Sequence, residues 1–446
     1  MKQNSDTSQT SIIYDTINLK DNNETLCNLL SEDYDSEAEK LYINDNNKDF
    51  KSYECDKEKD KETYSEEYIP LNKDISENKE LNSYVVKKER KHWVDALRVF
   101  SNFLVIVVHS SSYGISEIPI FSKQWMSLMF WDSFGRVSVP LFIIISGILF
   151  LDIQKDISIS KLYKKYIFRI VKDILFWNLF YATIGKYFIE GVGFSWENFL
   201  KEFFFEMICG KFHIWYLYMC TGLYIVTPIM RIIVKSTETL IYFLVVAFGF
   251  CQVIPFIFTI FKAYYPNYII EYMDEAYGQV MLLMVAGYVI YYPLGYSLNL
   301  FEIKNRFSLL IIYIVGFASS LMTFYLKISA SKKNEKEFYD FADYNSLNVS
   351  IATISTAIFF KYTGNRILKI IFRITKVRKI IHILSNLSYG IYLIHIAYFE
   401  LFYSLGFRSY TFNPIFFTPI HAFCVWICSA ITIYIIKKIP ILKTFV

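Results

Sequence analysis

The chain of 446 residues is 54% apolar and 19% aromatic, with 41 Phe and 36 Tyr. Its charge is unevenly placed: residues 1–86 hold 10 Lys/Arg against 21 Asp/Glu, a net of −11, and residues 87–446 hold 36 against 21, a net of +15. A polar acidic tail joined to a basic, very apolar body excludes an ordinary soluble enzyme, a DNA-binding protein and a secreted disulfide scaffold.

The seven cysteines agree. Cys27 and Cys55 lie in the tail, and the other five sit inside or beside apolar runs with no CxxC pair, so neither a disulfide framework nor a zinc site is expected. Cys424 and Cys428 stand one helical turn apart, but two thiols supply only half of a tetrahedral shell, and filling space is the better reading.

In chain order, residues 1–86 come first, with runs such as SEDYDSEAEK and YECDKEKDKETYSEE that show no sustained helical or strand periodicity. Such a segment cannot bury enough apolar surface to offset its ordering entropy, and it reads as a disordered acidic tail. No apolar core follows Met1-Lys2, so it does not read as a signal peptide. Ser31 and Ser36 precede acidic residues in the manner of kinase substrates, although a solvated tail without a switch is the simpler expectation.

From residue 97 onward, apolar stretches of membrane-spanning length succeed one another: 97–114, 134–151, 168–189, 213–233, 239–261, 278–298, 307–327, 347–361, 383–404 and 415–436. The expected fold is therefore all-α, a polytopic membrane protein of about ten transmembrane helices over residues 87–440 behind the 1–86 tail. Residues 194–212, FSWENFLKEFFFEMICGKF, mix Glu and Lys with Phe and Trp and read as an interfacial amphipathic helix. Basic clusters precede the first expected span (Lys87, Lys88, Arg90, Lys91) and separate the eighth from the ninth (Arg366, Lys369, Arg373, Lys376, Arg378, Lys379). These and the remaining clusters all fall on one side if ten spans are crossed with both termini cytoplasmic.

The segment RKHWVDALRVFSNFLVIVVHSS, residues 90–111, carries the chemistry. Arg98 and His109 are eleven positions apart, within about 20° of three full turns, so they share one helical face. The rise puts His109 about 16 Å deeper, near the middle of a bilayer core. Asp95 sits one turn before Arg98 and can pair with it. An imidazole at mid-membrane is costly in lipid and points to function.

The pattern W-x-D-x-L-R-x10-H at the first of ten spans resembles the acyltransferase 3 family of membrane-embedded acyltransferases. VSVPLFIIISGILFL (137–151), HIWYLYMCTGLYIVTP (213–228) and LSNLSYGIYLIHIAYFE (384–400) resemble further segments of that family, in the same order. The resemblance covers residues 90–440. It implies transfer of an acyl group, usually acetyl, from a CoA thioester to a hydroxyl of a carbohydrate or cell-surface glycan. It also implies that His109 is the catalytic base, with Arg98 essential beside it.

The chemistry asks for the same parts. A sugar hydroxyl needs a base to take its proton as it attacks, and the thioester oxygen needs a hydrogen-bond donor as it gains charge. Trp215, Tyr392 and Ser146 are candidate donors. Lys165, Arg169 and Lys172 share one face of the third span and suit the phosphates of acetyl-CoA, the expected donor co-substrate; ordinary positive-inside anchoring would place them there as well. Where the family often carries Arg-x-x-Arg, this chain has Arg169 and Lys172, or Tyr166 in the place of the first arginine, and lysine offers a point charge in place of a bidentate fork.

His213 and Trp215 open the fourth span and suit an acceptor sugar, since pyranose faces stack on indole. His395, one turn after Tyr392, is expected to line the interior. His421 is expected to serve packing, and His92 and His382 to lie at the surface. The expected partners are acyl-CoA, a glycan acceptor and the lipid bilayer, without nucleic acid. The rival from another class is a polysaccharide exporter or small-molecule carrier built on the same fold.

Overall fold

The computed structural model describes residues 68–70, 84–86, 90–183, 196–279, 287–371 and 373–446. It divides into two units, Met1–Arg90 and Lys91–Val446. In the first, strands β1 (Tyr68–Pro70) and β2 (Tyr84–Val86) pair antiparallel, with Ile69 opposite Val85. Apart from this short ladder, the expectation of a disordered 1–86 tail falls outside the described residues.

The second unit is all helix among its described residues. In chain order it comprises α1 (His92–Ile115), α2 (Lys123–Gly135), α3 (Ser138–Phe150), α4 (Phe168–Phe180), α5 (Trp196–Cys209) and α6 (Trp215–Ile233). There follow α7 (Thr237–Phe248), α8 (Ile254–Tyr264), α9 (Tyr268–Gly278), α10 (Tyr291–Leu300) and α11 (Arg306–Asn334). The chain closes with α12 (Leu347–Phe359), α13 (Asn365–Ile371), α14 (Thr375–Ser404) and α15 (Pro414–Ile436). Seven helical stretches among the described residues are long and apolar enough to cross a membrane: His92–Ile115, Lys123–Phe150, Phe203–Ile233, Thr237–Tyr264, Arg306–Asn334, Thr375–Ser404 and Pro414–Ile436. The protein is an all-α polytopic membrane protein.

Three of the ten expected spans fall on shorter helices. α4 and α10 adjoin residues 184–195 and 280–286, which lie outside the description, and α12 gives way to a π-helical turn at Phe360–Gly364. The short helices α9 and α13 lie between expected spans, and α2 lies almost wholly ahead of the second one. α2 precedes the expected 134–151 span, because Lys123, Gln124, Asp132 and Arg136 hold the hydropathy of that stretch down. Its N-terminus is capped, with the Trp125 N–H donating to the Ser122 hydroxyl at 3.1 Å. Asn305 and Asn413 cap α11 and α15 in the same way, and Pro414 starts α15 where no N–H is needed.

The bundle core forms where α1, α3, α14 and α15 meet. In hydrocarbon, helices associate through close packing and interhelical hydrogen bonds. α3 and α10 touch backbone to backbone: a Cβ on Gly147 would lie 1.9 Å from the Tyr292 carbonyl oxygen, and one on Gly295 would lie 2.1 Å from that of Ile144. α1 is tied to α14 and α15 through Asn102. Its amide donates to the Ser388 carbonyl at 3.0 Å and accepts from the Trp426 indole at 2.8 Å. This junction fixes the register of α1 against α14, and every histidine of interest on α1 faces that partner.

Candidate active site

His109 sits on the inner face of α1, opposite α14. Its ring centroid lies 5.2 Å from that of His395, which in turn lies 5.3 Å from that of His213. The stripe drawn from the α1 sequence therefore faces two more imidazoles. His213 reaches this place because Gly210 ends α5 in the left-handed region, at φ 71°. A Cβ there would be strained and would also meet the Asn178 side-chain oxygen at 2.6 Å, so glycine is required. Lys211, next in the turn, pairs with Glu400 of α14 at 2.7 Å and anchors the turn against that helix. Phe212 and Phe399 close around His109, with centroids at 5.4 and 6.4 Å, and Tyr113 stacks on Phe399.

The hydrogen bonds set the tautomers. A carbonyl oxygen only accepts, so the His395 Nδ1, 2.6 Å from the Tyr392 carbonyl, carries the proton. The His213 Nε2 likewise donates to the Leu393 carbonyl at 3.3 Å. In neutral rings this leaves lone pairs on His395 Nε2 and His213 Nδ1, both buried and both without a protein partner. Two proton acceptors thus stand beside His109 in the interior. Such groups are kept at a cost in stability, which argues that they serve a reaction.

Beside the histidines lies an ion cluster that the sequence reading missed. Arg136 grips Asp132 bidentately, NH2 to Oδ1 at 2.6 Å and Nε to Oδ2 at 3.2 Å, and Lys327 of α11 donates to the same Oδ2. The side chains of Asp132 and Lys327 are fully buried, and that of Arg136 is 18% exposed. Ser112, one turn beyond His109, donates to Asp132 at 3.4 Å. Arg136 and Asp132 both interact electrostatically with the His109 ring. Two cations share one carboxylate here, with Glu337 acting on Lys327 and Asp343 on Arg136 from further off. The i, i+4 spacing of Asp132 and Arg136, and a lysine at the end of an apolar run, were the available signals.

Arg136 also lies over the Tyr344 ring at 5.5 Å. Trp215 stacks near Tyr344 at 6.2 Å and meets Tyr288 at 5.3 Å, giving a partly exposed aromatic wall. Two of the expected donors are otherwise engaged. The Tyr392 hydroxyl donates to the His213 carbonyl, and the Ser146 hydroxyl donates to the Phe142 carbonyl at 3.0 Å. Arg136 is better suited than either to face developing negative charge.

Arg98 does not join His109. Its NH1 donates to the Ser385 hydroxyl at 3.1 Å and lies 4.0 Å from Asp95, while Ser385 donates to Asp95 Oδ1 at 2.9 Å. His382 Nδ1 stands 3.2 Å from Asp95 Oδ2, and the His92 and His382 rings meet at 5.1 Å. Simple surface placement of these two histidines is corrected: both are half-buried where α1 crosses α14, drawn in by the Asp95 carboxylate. His421 serves packing as expected, bonded to Ser110 at 2.8 Å and to the Phe407 carbonyl at 3.2 Å.

On the basic face leading into α4, Lys165 is exposed over Tyr166. Arg169 donates to the Val446 carbonyl at 3.2 Å and lies 3.6 Å from Asp173, and Lys172 donates to the Thr444 carbonyl. Outside the spans' interior, this face is thus partly occupied by the turn at Leu442–Phe445.

A family model described as an acyltransferase domain, that of acyltransferase 3, matches residues 91–435. The chain belongs to the acyltransferase 3 family. It is a membrane acyltransferase, and α1, the histidine trio and most of the ion cluster's surroundings lie inside the matched span. No curated protein and no solved structure matches the chain.

Proposed function

We propose that this acyltransferase moves an acetyl group from acetyl-CoA to a hydroxyl of a carbohydrate or cell-surface glycan, with both termini on the cytoplasmic side. The observation that carries the reading is His109 packed against His395 and His213 beside the buried Asp132–Arg136–Lys327 ion cluster. The acceptor hydroxyl gives its proton to His109 as its oxygen attacks the thioester carbonyl. Negative charge gathers on the former carbonyl oxygen, where Arg136 can oppose it in a water-poor setting. Collapse of the tetrahedral state expels the CoA thiolate, which takes up the proton held by the histidine, so the site returns to its starting state.

His395 and His213 line the route and can share the proton with His109. Trp215, with Tyr288 and Tyr344, offers flat aromatic faces for a pyranose ring. Lys165, Arg169 and Lys172 suit the phosphates of CoA, with the carbonyls of Thr444 and Val446 giving way as phosphate oxygens replace them. Arg98 and Asp95 hold the entrance end of α1 to α14 through Ser385 and so keep His109 in register.

The test is transfer of radiolabelled acetyl from acetyl-CoA to glycan or lipid by membranes containing the protein, beside His109→Ala. Label that depends on His109 is expected. Equal labelling with both proteins would remove the reading.

A further inference from the structure

His92, Asp95 and His382 bring their ligating atoms within 4.8 Å of one another at the end of the bundle where α1 begins. His92 and Asp95 are spaced i, i+3 on α1, so both project from one face, and His382 meets them from α14. The pair His382 Nδ1 and Asp95 Oδ2 is already 3.2 Å apart. Bonds of about 2.0–2.1 Å from a tetrahedral zinc ion place neighbouring ligand atoms about 3.3 Å apart, which that pair satisfies.

The remaining gap to His92 needs to close by at most about 1.5 Å to reach the same spacing, within reach of a side-chain rotation at a half-buried position. The carboxylate is also held from behind. Ser385 occupies Asp95 Oδ1 at 2.9 Å and is itself bonded to Arg98, so Oδ2 is the oxygen turned to the histidines. Hydrogen bonding of this kind orients ligands around a metal.

We propose that His92, Asp95 and His382 form a site for a divalent transition-metal ion, with zinc the ion that fits, joining the first turn of α1 to α14. Two imidazoles and one carboxylate suit zinc better than magnesium or calcium, which prefer oxygen shells. Three protein ligands leave the fourth position open. Arg98, 4.0 Å from the other oxygen of Asp95, favours an anion or hydroxide there over a neutral ligand. The site lies about 21–26 Å along α1 from His109 and is distinct from the acyl-transfer centre.

The full chain, purified in detergent, is loaded with Zn2+, stripped of excess by gel filtration and assayed for metal by mass spectrometry. About one zinc per chain is expected, matching one three-ligand site. His92→Gln and His382→Gln, each checked for a monodisperse profile, should reduce that to background. Replacement with Co2+ gives a second reading on the unaltered protein: a tetrahedral cobalt spectrum is expected, and it is needed if either variant misfolds. Zinc bound equally by a monodisperse double variant overturns the proposal. So does an unaltered protein that holds neither zinc nor the cobalt spectrum.

Discussion

Asp132→Ala removes the single carboxylate from a cluster whose other members are Arg136 and Lys327. The Asp132 and Lys327 side chains are fully buried and Arg136 is 18% exposed, so the two cations would face each other with little water to screen them. Breaking a buried ion pair by removing one partner costs ~3–5 kcal/mol, and the mutual repulsion of the remaining cations adds to it. Lys327→Met has the opposite character. It leaves the bidentate Asp132–Arg136 pair neutral as a unit and replaces the ammonium with an apolar group of similar length. Because the remaining Asp132–Arg136 pair stays charge-balanced, this exchange should cost far less than Asp132→Ala.

Thermal unfolding in detergent, followed by the monodisperse fraction, should therefore place Asp132→Ala well below the unaltered protein, by on the order of ten degrees. Lys327→Met should lie much closer to it. If the Lys327 ammonium serves acyl transfer, Lys327→Met should also lose turnover while keeping stability, which separates a functional charge from a structural one. An Asp132→Ala protein as stable as Lys327→Met would refute the reasoning, because the carboxylate would then not be what makes two buried cations tolerable.

His109→Ala should lower turnover by about two to four decades while the protein still inserts and still binds CoA. If His109→Ala keeps near-normal turnover and His395→Ala does not, the base is His395, whose Nε2 is also without a protein partner. Arg98→Ala should be severe, Arg98→Lys partial and Asp95→Asn milder than Arg98→Ala, read as turnover per folded protein, since a lysine keeps the charge but not the fork that reaches Ser385. Changing both Arg169 and Lys172 to Gln should raise the KM for acetyl-CoA by about one to two decades per lost charge-assisted bond, with the acceptor's KM little changed. A chain starting at Lys87 should keep insertion and fold, measured by membrane extraction and gel filtration, because the basic residues before α1 remain to orient it.

Much of the membrane body was legible because hydropathy and length act locally. Helices α1, α6, α11, α14 and α15 lie where apolar runs of spanning length predicted them. α2 escaped that reasoning since its polar residues are paid for by partners far away in sequence: Asp132 by Lys327, and Trp125 by Glu337 at 3.2 Å. A hydropathy window scores such residues as if each met lipid alone.

The same physics divides the candidate site. The shared face of Arg98 and His109 follows from helical geometry, and it holds: both look toward α14. Their separation by about 16 Å is equally fixed by that geometry, so a common face could never make them one site. What periodicity on one helix leaves open is the partner face. On α14, Ser385 meets Arg98 and His395 meets His109, so two different chemistries are built along a single helix pair. Near Arg98 a buried carboxylate and the buried Ser385 hydroxyl hold the half-buried guanidinium, which suits fastening α1 to α14. Near His109 the groups include buried imidazole nitrogens without protein partners beside two cations that share one buried carboxylate, an arrangement that raises the energy of the resting protein. A transition state that brings a proton to the imidazoles and a negative charge to the cations would relieve both.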